Sequence, residues 1–330
     1  MNDNQVIQDF PGLADAFRRE LLAHCYRMLG SVHDAEEAVQ ETYLRAWRSY
    51  DGFEGRSSLR TWLYRIATNV SLTALETRQR RPLPAGLGTP SAQIGDPMVR
   101  RPEIPWLEPI PDVLVGADGS DPATIVTARE SIRLALTAAL QHLPPRQRAV
   151  LILRDVLKWR AAEVAELLDT TTASVNSTLQ RARGRMNLIA PTEDGVTEPT
   201  ASEQRELLDR YVAAFQAKDV AAIVRLFTTD ATWDMPPFTT WFRGRSAIAH
   251  AVGAICPAGP GDLRLLPIRA NGQPGFALYL RGPDGVRRAF NLQVLTLTPE
   301  GIRHGSNFFD HSLFPVFGLP PELPPEPGPS

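Results

Sequence analysis

Apolar positions divide the chain into three stretches with different periods. From about Leu13 to Arg81 they recur at three- and four-residue steps, as in helices sharing a core. A helix predicted over 34–50 has one apolar stripe, Ala35, Ala38, Val39, Thr42, Tyr43, Ala46 and Trp47, with Asp34, Glu37, Glu41, Arg45 and Arg48 on another face. The next helix, with Ser58 as its N-cap, turns Leu59, Trp62, Leu63, Ile66, Ala67 and Val70 inward. Its other face carries Arg60, Thr61, Tyr64, Arg65, Thr68 and Asn69. Helical spacing resumes from Ala123 to Ile189 and ends in two helices around a turn at Asp169-Thr170-Thr171, the second capped by Thr172. Beyond Ser202 one helix (Leu207, Leu208, Tyr211, Val212, Phe215) gives way to strands around 263–268, 276–280, 290–297 and 302–309. Asn271-Gly272 and Pro283-Asp284-Gly285 supply turns between these strands.

The intervening segments lack such periods. Residues 82–121 and 191–202 are rich in Pro, Gly and polar groups and read as linkers, and the Pro-rich end from Pro320 onward reads as an extended, mobile tail. A chain of 330 residues accommodates two or three domains. The expected boundaries are 10–82, 83–122 (linker), 123–190, 191–202 (linker), 203–319 and 320–330 (tail). The expected class is therefore multidomain: two all-α domains followed by an α+β domain.

Charge refines this division. The net charge of −2 averages unlike regions, since 121–190 holds ten Lys and Arg against six Asp and Glu, and 172–190 carries Arg181, Arg183 and Arg185 with no acid. The linker is acidic, with Asp96, Glu103, Glu108, Asp112, Asp118 and Asp121 against Arg100 and Arg101. A further basic run, Arg78, Arg80 and Arg81, closes the first helical stretch. Cys25 and Cys256 lack metal-ligand spacing, so neither disulfide, metal nor cofactor is expected. With no apolar leader and no run near the roughly 18 residues of a membrane span, a cytoplasmic location is expected.

By pattern alone, the charged face of 34–50 is more often a solvated surface than a partner surface. The run HDAEEAVQETYLRAWRSYDGFEGRSSLRTWLYRIATNVSL, however, resembles region 2 of the extracytoplasmic-function (ECF) subfamily of sigma-70 RNA polymerase sigma factors. That resemblance implies that Asp34, Glu37, Gln40 and Glu41 grip the clamp helices of the largest polymerase subunit. It further implies that Ser57, Ser58, Arg60, Arg65 and Asn69 open and read the −10 element. The run LPPRQRAVLILRDVLKWRAAEVAELLDTTTASVNSTLQRARGRM is similar to sigma region 4, a helix-turn-helix that binds the −35 element and contacts the flap region of polymerase. Val175, Leu179, Ala182 and Met186 then face inward, and Ser174, Asn176, Ser177, Thr178, Gln180, Arg181 and Arg183 are the −35 candidates. Asn176 and Thr178 stand where that family often has Lys and Arg, so its −35 sequence does not carry over. The acidic linker, by the same resemblance, threads the RNA path of polymerase.

From Ser202 to Leu319 the layout resembles the SnoaL-like branch of the cone-shaped α+β fold related to nuclear transport factor 2 (NTF2-like). Some members of that fold are cyclases or isomerases. Asp234, His250, His304, Asp310 and His311 are the titratable residues such chemistry would use, and Trp233, Phe238, Trp241 and Phe242 could line a pocket. No acid–base pair is evident by spacing. No catalytic residue is expected, therefore, and the implied function is transcription initiation on promoter DNA. A subset of ECF factors carries this same fused domain, which implies an intramolecular contact regulating the sigma domains. The alternative is a small-molecule cyclase or isomerase behind a DNA-binding front half.

Overall fold

The computed structural model describes residues 12–55, 57–77, 80–91, 98–116, 130–189 and 199–324. The chain forms two compact units, and each is interrupted in sequence: Met1–Arg81 with Leu107–Thr192, and Pro82–Trp106 with Glu193–Ser330. Arg78, Asp96, Asp118, Asp121 and residues 191–198 of the second linker lie outside the described residues.

In the first unit, helices α1 (Arg18–Leu29), α2 (Val32–Ser49) and α3 (Leu59–Thr77) pack around Leu21, Leu22, Tyr26, Val39, Leu63 and Ala67. Gly30 ends α1 in the left-handed region (φ 72°), and the Ser31 side chain then caps α2 by accepting from the Asp34 amide. Ser58 caps α3, its hydroxyl accepting from Thr61 N at 3.1 Å. The helical hairpin of the second half comprises α4 (Leu134–Leu140), α5 (Pro145–Leu151) with a π-helical turn Ile152–Val156, α6 (Ala161–Leu167) and α7 (Thr172–Ile189). The turn before α7 bends through Asp169 at φ 49°. Thr171, rather than Thr172, caps the last helix, accepting from Ser174 N at 3.2 Å.

Burial departs from the simple stripes in three places. Trp47 is 49% exposed although Ala46 beside it is fully buried, because it lies about 100° round the helix from the stripe of Ala35, Thr42 and Ala46. Tyr64 and Thr68, assigned to the outer face of α3, are fully buried. Trp159 and the Arg60 guanidinium cover the Tyr64 ring, at 5.3 and 4.8 Å. Thr68 donates to Tyr64 O at 2.7 Å and meets His24 Nε2 at 2.9 Å.

The His24 contact has a consequence for pH. Burial, aided by the Arg27 charge, lowers the His24 pKa from 6.5 to about 3. The unfolded chain thus binds the proton first, and stability is lost as pH falls below about 6.5. Between pH 7 and 5 this one group should cost about 2 kcal/mol. Denaturant titrations at the two pH values check this, and His24→Leu should remove that share of the difference.

The second unit is a cone built on a curved sheet in the order β2-β1-β6-β5-β4-β3. Its strands are β1 (Phe227–Asp234), β2 (Trp241–Arg243), β3 (Leu263–Ala270), β4 (Gln273–Arg281), β5 (Arg287–Thr298) and β6 (Gly301–Phe308). Helices α8 (Ala201–Ala217), α9 (Val220–Arg225) and α10 (Arg245–His250) accompany it. The β3–β4 hairpin turns at Asn271-Gly272, both at positive φ. β1 pairs parallel with β6, which brings together residues some seventy positions apart. Part of the expected tail is held as well: β7 (Glu322–Leu323) pairs with the start of β5, and Tyr279 OH donates to Pro320 O at 2.8 Å. The later prolines, from Pro325, are outside the described residues.

Candidate nucleic-acid interface

The candidate residues lie on or beside three helices of the first unit and in the second unit. On α2, Glu37 and Gln40 are exposed and Glu41 is half-buried, paired with Arg45 at 2.6 Å along the helix. Leu44 and Trp47, 52% and 49% exposed, continue this acidic face with apolar groups. Large exposed side chains of this type commonly anchor an interface. Sequence reading missed both, having placed Trp47 in the core. Asp34 is set apart from the others: its side chain is nearly covered and accepts from Arg81 Nη2 at 2.5 Å. Glu108 builds the adjoining network, accepting from Ser31 Oγ at 2.7 Å and meeting His33 Nδ1 at 3.0 Å.

On α3 the five candidates divide by availability. Arg65 and Asn69 are exposed one turn apart and point the same way. Ser57 is half-buried, and Ser58 is engaged as the helix cap. Arg60 is engaged twice, held by the Glu20 carboxylate at 2.6–2.9 Å and lying over the Tyr64 and Trp159 rings at 4.8 and 6.0 Å. Trp159 comes from the helical hairpin of the same unit. Its ring, 7% exposed, covers one side of the Arg60 guanidinium. Beside the start of α3, Trp62 is half-buried and stacks on Phe53 at 4.8 Å.

On α7, Val175, Leu179, Ala182 and Met186 are buried, while Ser174, Asn176, Ser177, Gln180, Arg181 and Arg183 are exposed and Thr178 partly so. Arg183 is not an open cation. Its fork closes on Asp155 at 2.6 and 2.9 Å, which neutralises it in place. Arg181 reaches Thr178 at 3.2 Å. Arg185, also exposed on α7, extends the basic surface.

In the second unit, Asp234 and His304 meet at 2.5 Å, a pair that no sequence spacing revealed because only the parallel β1–β6 register joins them. Trp233 and Met235 line the cavity of the cone, whereas Asp234, between them, alternates to the other face. Its second carboxylate oxygen accepts from Ala85 N at 2.9 Å, so Asp234 holds the first linker as well as His304. That linker runs on along the β1–β2 edge: Ser91 N donates to Trp241 O, Trp241 Nε1 to Gly88 O, Thr239 N to Val99 O and Arg101 N to Pro237 O, all within 2.8–3.2 Å. Of the four aromatics expected at a pocket, Trp233 and Phe238 line the cavity, while Trp241 and Phe242 are buried elsewhere. His311 instead meets Phe290 O at 3.2 Å, and Asp310 accepts from Ser312. Among the described residues no cluster of His, Cys, Asp or Glu could hold a metal ion, and no helix is long and apolar enough to cross a membrane.

Three family models match this chain in order: sigma-70 region 2 over residues 13–81, sigma-70 region 4 over 133–186, and a SnoaL-like domain over 208–291. The chain is 55% identical over 317 residues to the ECF RNA polymerase sigma factor SigG of Mycobacterium tuberculosis, covering 96% of this chain and 85% of that one. To SigJ of the same organism, also an ECF RNA polymerase sigma factor, it is 30% identical over 282 residues, covering 83% and 82%. The crystal structure of SigJ superposes with a TM-score of 0.59 at 25% identity, covering 92% of this chain and 98% of SigJ.

Proposed function

The chain belongs to the ECF RNA polymerase sigma factors, and from that premise we propose how its surfaces divide the work. As a sigma factor it directs promoter-specific transcription initiation rather than catalysis; its close relatives are sigma factors, not enzymes. The Glu37–Glu41 face of α2, with Leu44 and Trp47, is the polymerase contact, and Asp34 supports it from behind through Arg81. Arg65 and Asn69 are the −10 readers presented on α3, with Ser57, Ser58 and Arg60 completing the face once Trp159 leaves it. Ser174, Asn176, Ser177, Thr178, Gln180 and Arg181 of α7 read the −35 element, Arg183 joining them at the cost of its Asp155 pair. Asn69→Ala should weaken discrimination at one −10 position by about tenfold while leaving overall affinity nearly intact. Selection from a randomised −10 library checks this; an unchanged consensus contradicts it.

The SnoaL-like domain acts as a built-in regulator. One observation carries this reading: the segment between the two sigma regions, Pro82–Trp106, is folded into the SnoaL-like unit. Whatever changes that docking changes the tether on which regions 2 and 4 are held. Asp234→Ala removes the acceptor for Ala85 N and the partner of His304 together. Its transcription in vitro should differ from the parent by about fivefold or more, with helix content unchanged. Equal activity at every promoter tested would refute the regulatory reading.

A further inference from the structure

Two arginines on the candidate DNA faces are matched by carboxylates that come from elsewhere in the first unit. Arg60 of α3 receives Glu20 of α1, forty residues away, its Nε lying 2.9 Å from both oxygens and its Nη2 2.6 Å from one. Tyr64 OH donates to the same carboxylate at 3.3 Å and helps to hold it there. Arg183 of α7 receives Asp155 through Nε at 2.9 Å and Nη2 at 2.6 Å. α7 itself contains no Asp or Glu. The acid arrives because the π-helical turn Ile152–Val156, closed by Leu157 N donating to Ile152 O at 2.9 Å, lies beside that helix. Arg65, Arg181 and Arg185, on the same two helices, have no carboxylate within ion-pair distance among the described residues.

The four side chains of these pairs are 31–58% exposed, so the pairs add little to stability. Their geometry matters more for DNA. A carboxylate set on a guanidinium fork presents two oxygens and a negative charge, as a phosphate does. While it stays in place, the arginine neutralises no phosphate and adds nothing to sequence-independent affinity.

We propose that Glu20 and Asp155 are specificity-determining residues, whose carboxylates stand in for phosphates and withhold Arg60 and Arg183 from DNA bound out of register. A loosely placed phosphate competes poorly with a carboxylate already fixed on the fork. DNA held by the base-reading side chains presents its phosphate at a set position and displaces the acid. The two arginines then strengthen the promoter complex and not its competitors. The assignment rests on Arg60 and Arg183 being DNA contacts, as proposed above.

Salt dependence tests it, because the slope of log affinity against log salt counts the phosphates neutralised. With the full chain and a duplex of random sequence, Asp155→Asn should steepen that slope by about 0.9. Its advantage over the parent then grows about threefold between 200 and 50 mM salt. Adding Arg183→Ala should return the slope to the parent's value, and Asp155→Glu, which keeps the charge, should bind like the parent. With polymerase holoenzyme on a fragment that it transcribes, Asp155→Asn should leave the slope unchanged, whereas Arg183→Ala should lower it by about 0.9. Arg60, 40% exposed beside the Trp159 ring, is reachable once its acid is neutral. Glu20→Gln should therefore steepen the slope of the full chain on single-stranded DNA by about 0.7. Damage to the fold would weaken binding, while release of an arginine strengthens it. An unchanged slope for Asp155→Asn on random duplex, or a steepening that survives Arg183→Ala, overturns the role of Asp155. An unchanged slope for Glu20→Gln overturns that of Glu20. Should Arg183→Ala leave the holoenzyme unaffected, the reading of Arg183 as a DNA contact fails, and the role of Asp155 falls with it.

Discussion

Reversing two charges, Glu37→Lys with Glu41→Lys, should lower the affinity for core polymerase by more than about a hundredfold while leaving the fold intact. Both side chains lie on the solvent side of α2, away from the stripe of Ala35, Ala38, Val39 and Thr42 that is buried. Losing the Glu41–Arg45 pair costs little, because exposed pairs one helical turn apart contribute only about 0.3–0.5 kcal/mol. Two reversals across an interface act differently, since each replaces an attraction by a repulsion and like-charge juxtaposition there costs several kcal/mol. Leu44→Ala with Trp47→Ala should weaken the same interaction without altering its salt dependence. Gel filtration with core polymerase, combined with circular dichroism, checks both. Assembly of the charge-reversed variant at the parent's affinity would remove this face from the polymerase contact.

The second large effect is on stability. Arg148 of α5 is 3% exposed and serves four acceptors: Met28 O at the end of α1, Gln141 Oε1 at 2.7 Å, and the carbonyls of Gln141 and Leu143, each at 3.1 Å. It ties region 4 to region 2 within the first unit. Burial lowers its pKa to about 10, so it remains charged at neutral pH. Arg148→Met keeps much of the volume but strands these oxygens, a change expected to cost about 4 kcal/mol. For a body of this size the unfolding midpoint should fall by roughly 10 °C. Arg148→Lys restores the charge without the fork and should recover only part of the loss. Differential scanning calorimetry distinguishes the three proteins; a midpoint unchanged in Arg148→Met would mean that the two regions do not depend on this tie.

Much of this organisation was legible in the sequence, and the exceptions share a physical cause. Helices α2, α3 and α7 announce themselves because one face of each is buried at helical spacing, and β3 to β5 because Asn271-Gly272 and Pro283-Asp284-Gly285 mark the turns between them. Periodicity fails where a residue distant in sequence covers a face, as Trp159 covers Tyr64, or where a large side chain sits at the edge of the buried stripe, as Trp47 does on α2. β1 was harder to see, since FTTDATWD mixes exposed Thr and Asp with Phe, Ala and Trp and buries Asp234 among them. The Asp234–His304 pair depends on strand register, which residue types do not encode locally. Least legible was the docking of the Pro-rich linker. Most of its bonds run from backbone to backbone along the β1–β2 edge, and backbone groups are the same whatever the side chains.

The same holds for the candidate DNA faces. Sequence resemblance names Arg60 and Arg183 as contacts, but only the fold shows that Glu20, Trp159 and Asp155 already occupy them. To touch DNA, each would have to exchange an internal partner for a phosphate or a base. The available surface in this state is therefore smaller than the motif suggests, and Arg65, Asn69 and Arg181 are its open members.

The central claim is that this chain confers promoter-specific initiation on RNA polymerase. Run-off transcription with purified core polymerase and a library of genomic promoter fragments measures it directly. Addition of the full chain should yield transcripts of defined length from a restricted set of fragments, each lost with the Glu37→Lys, Glu41→Lys variant. Transcripts that do not depend on the added chain, or initiation spread evenly over all fragments, would contradict it.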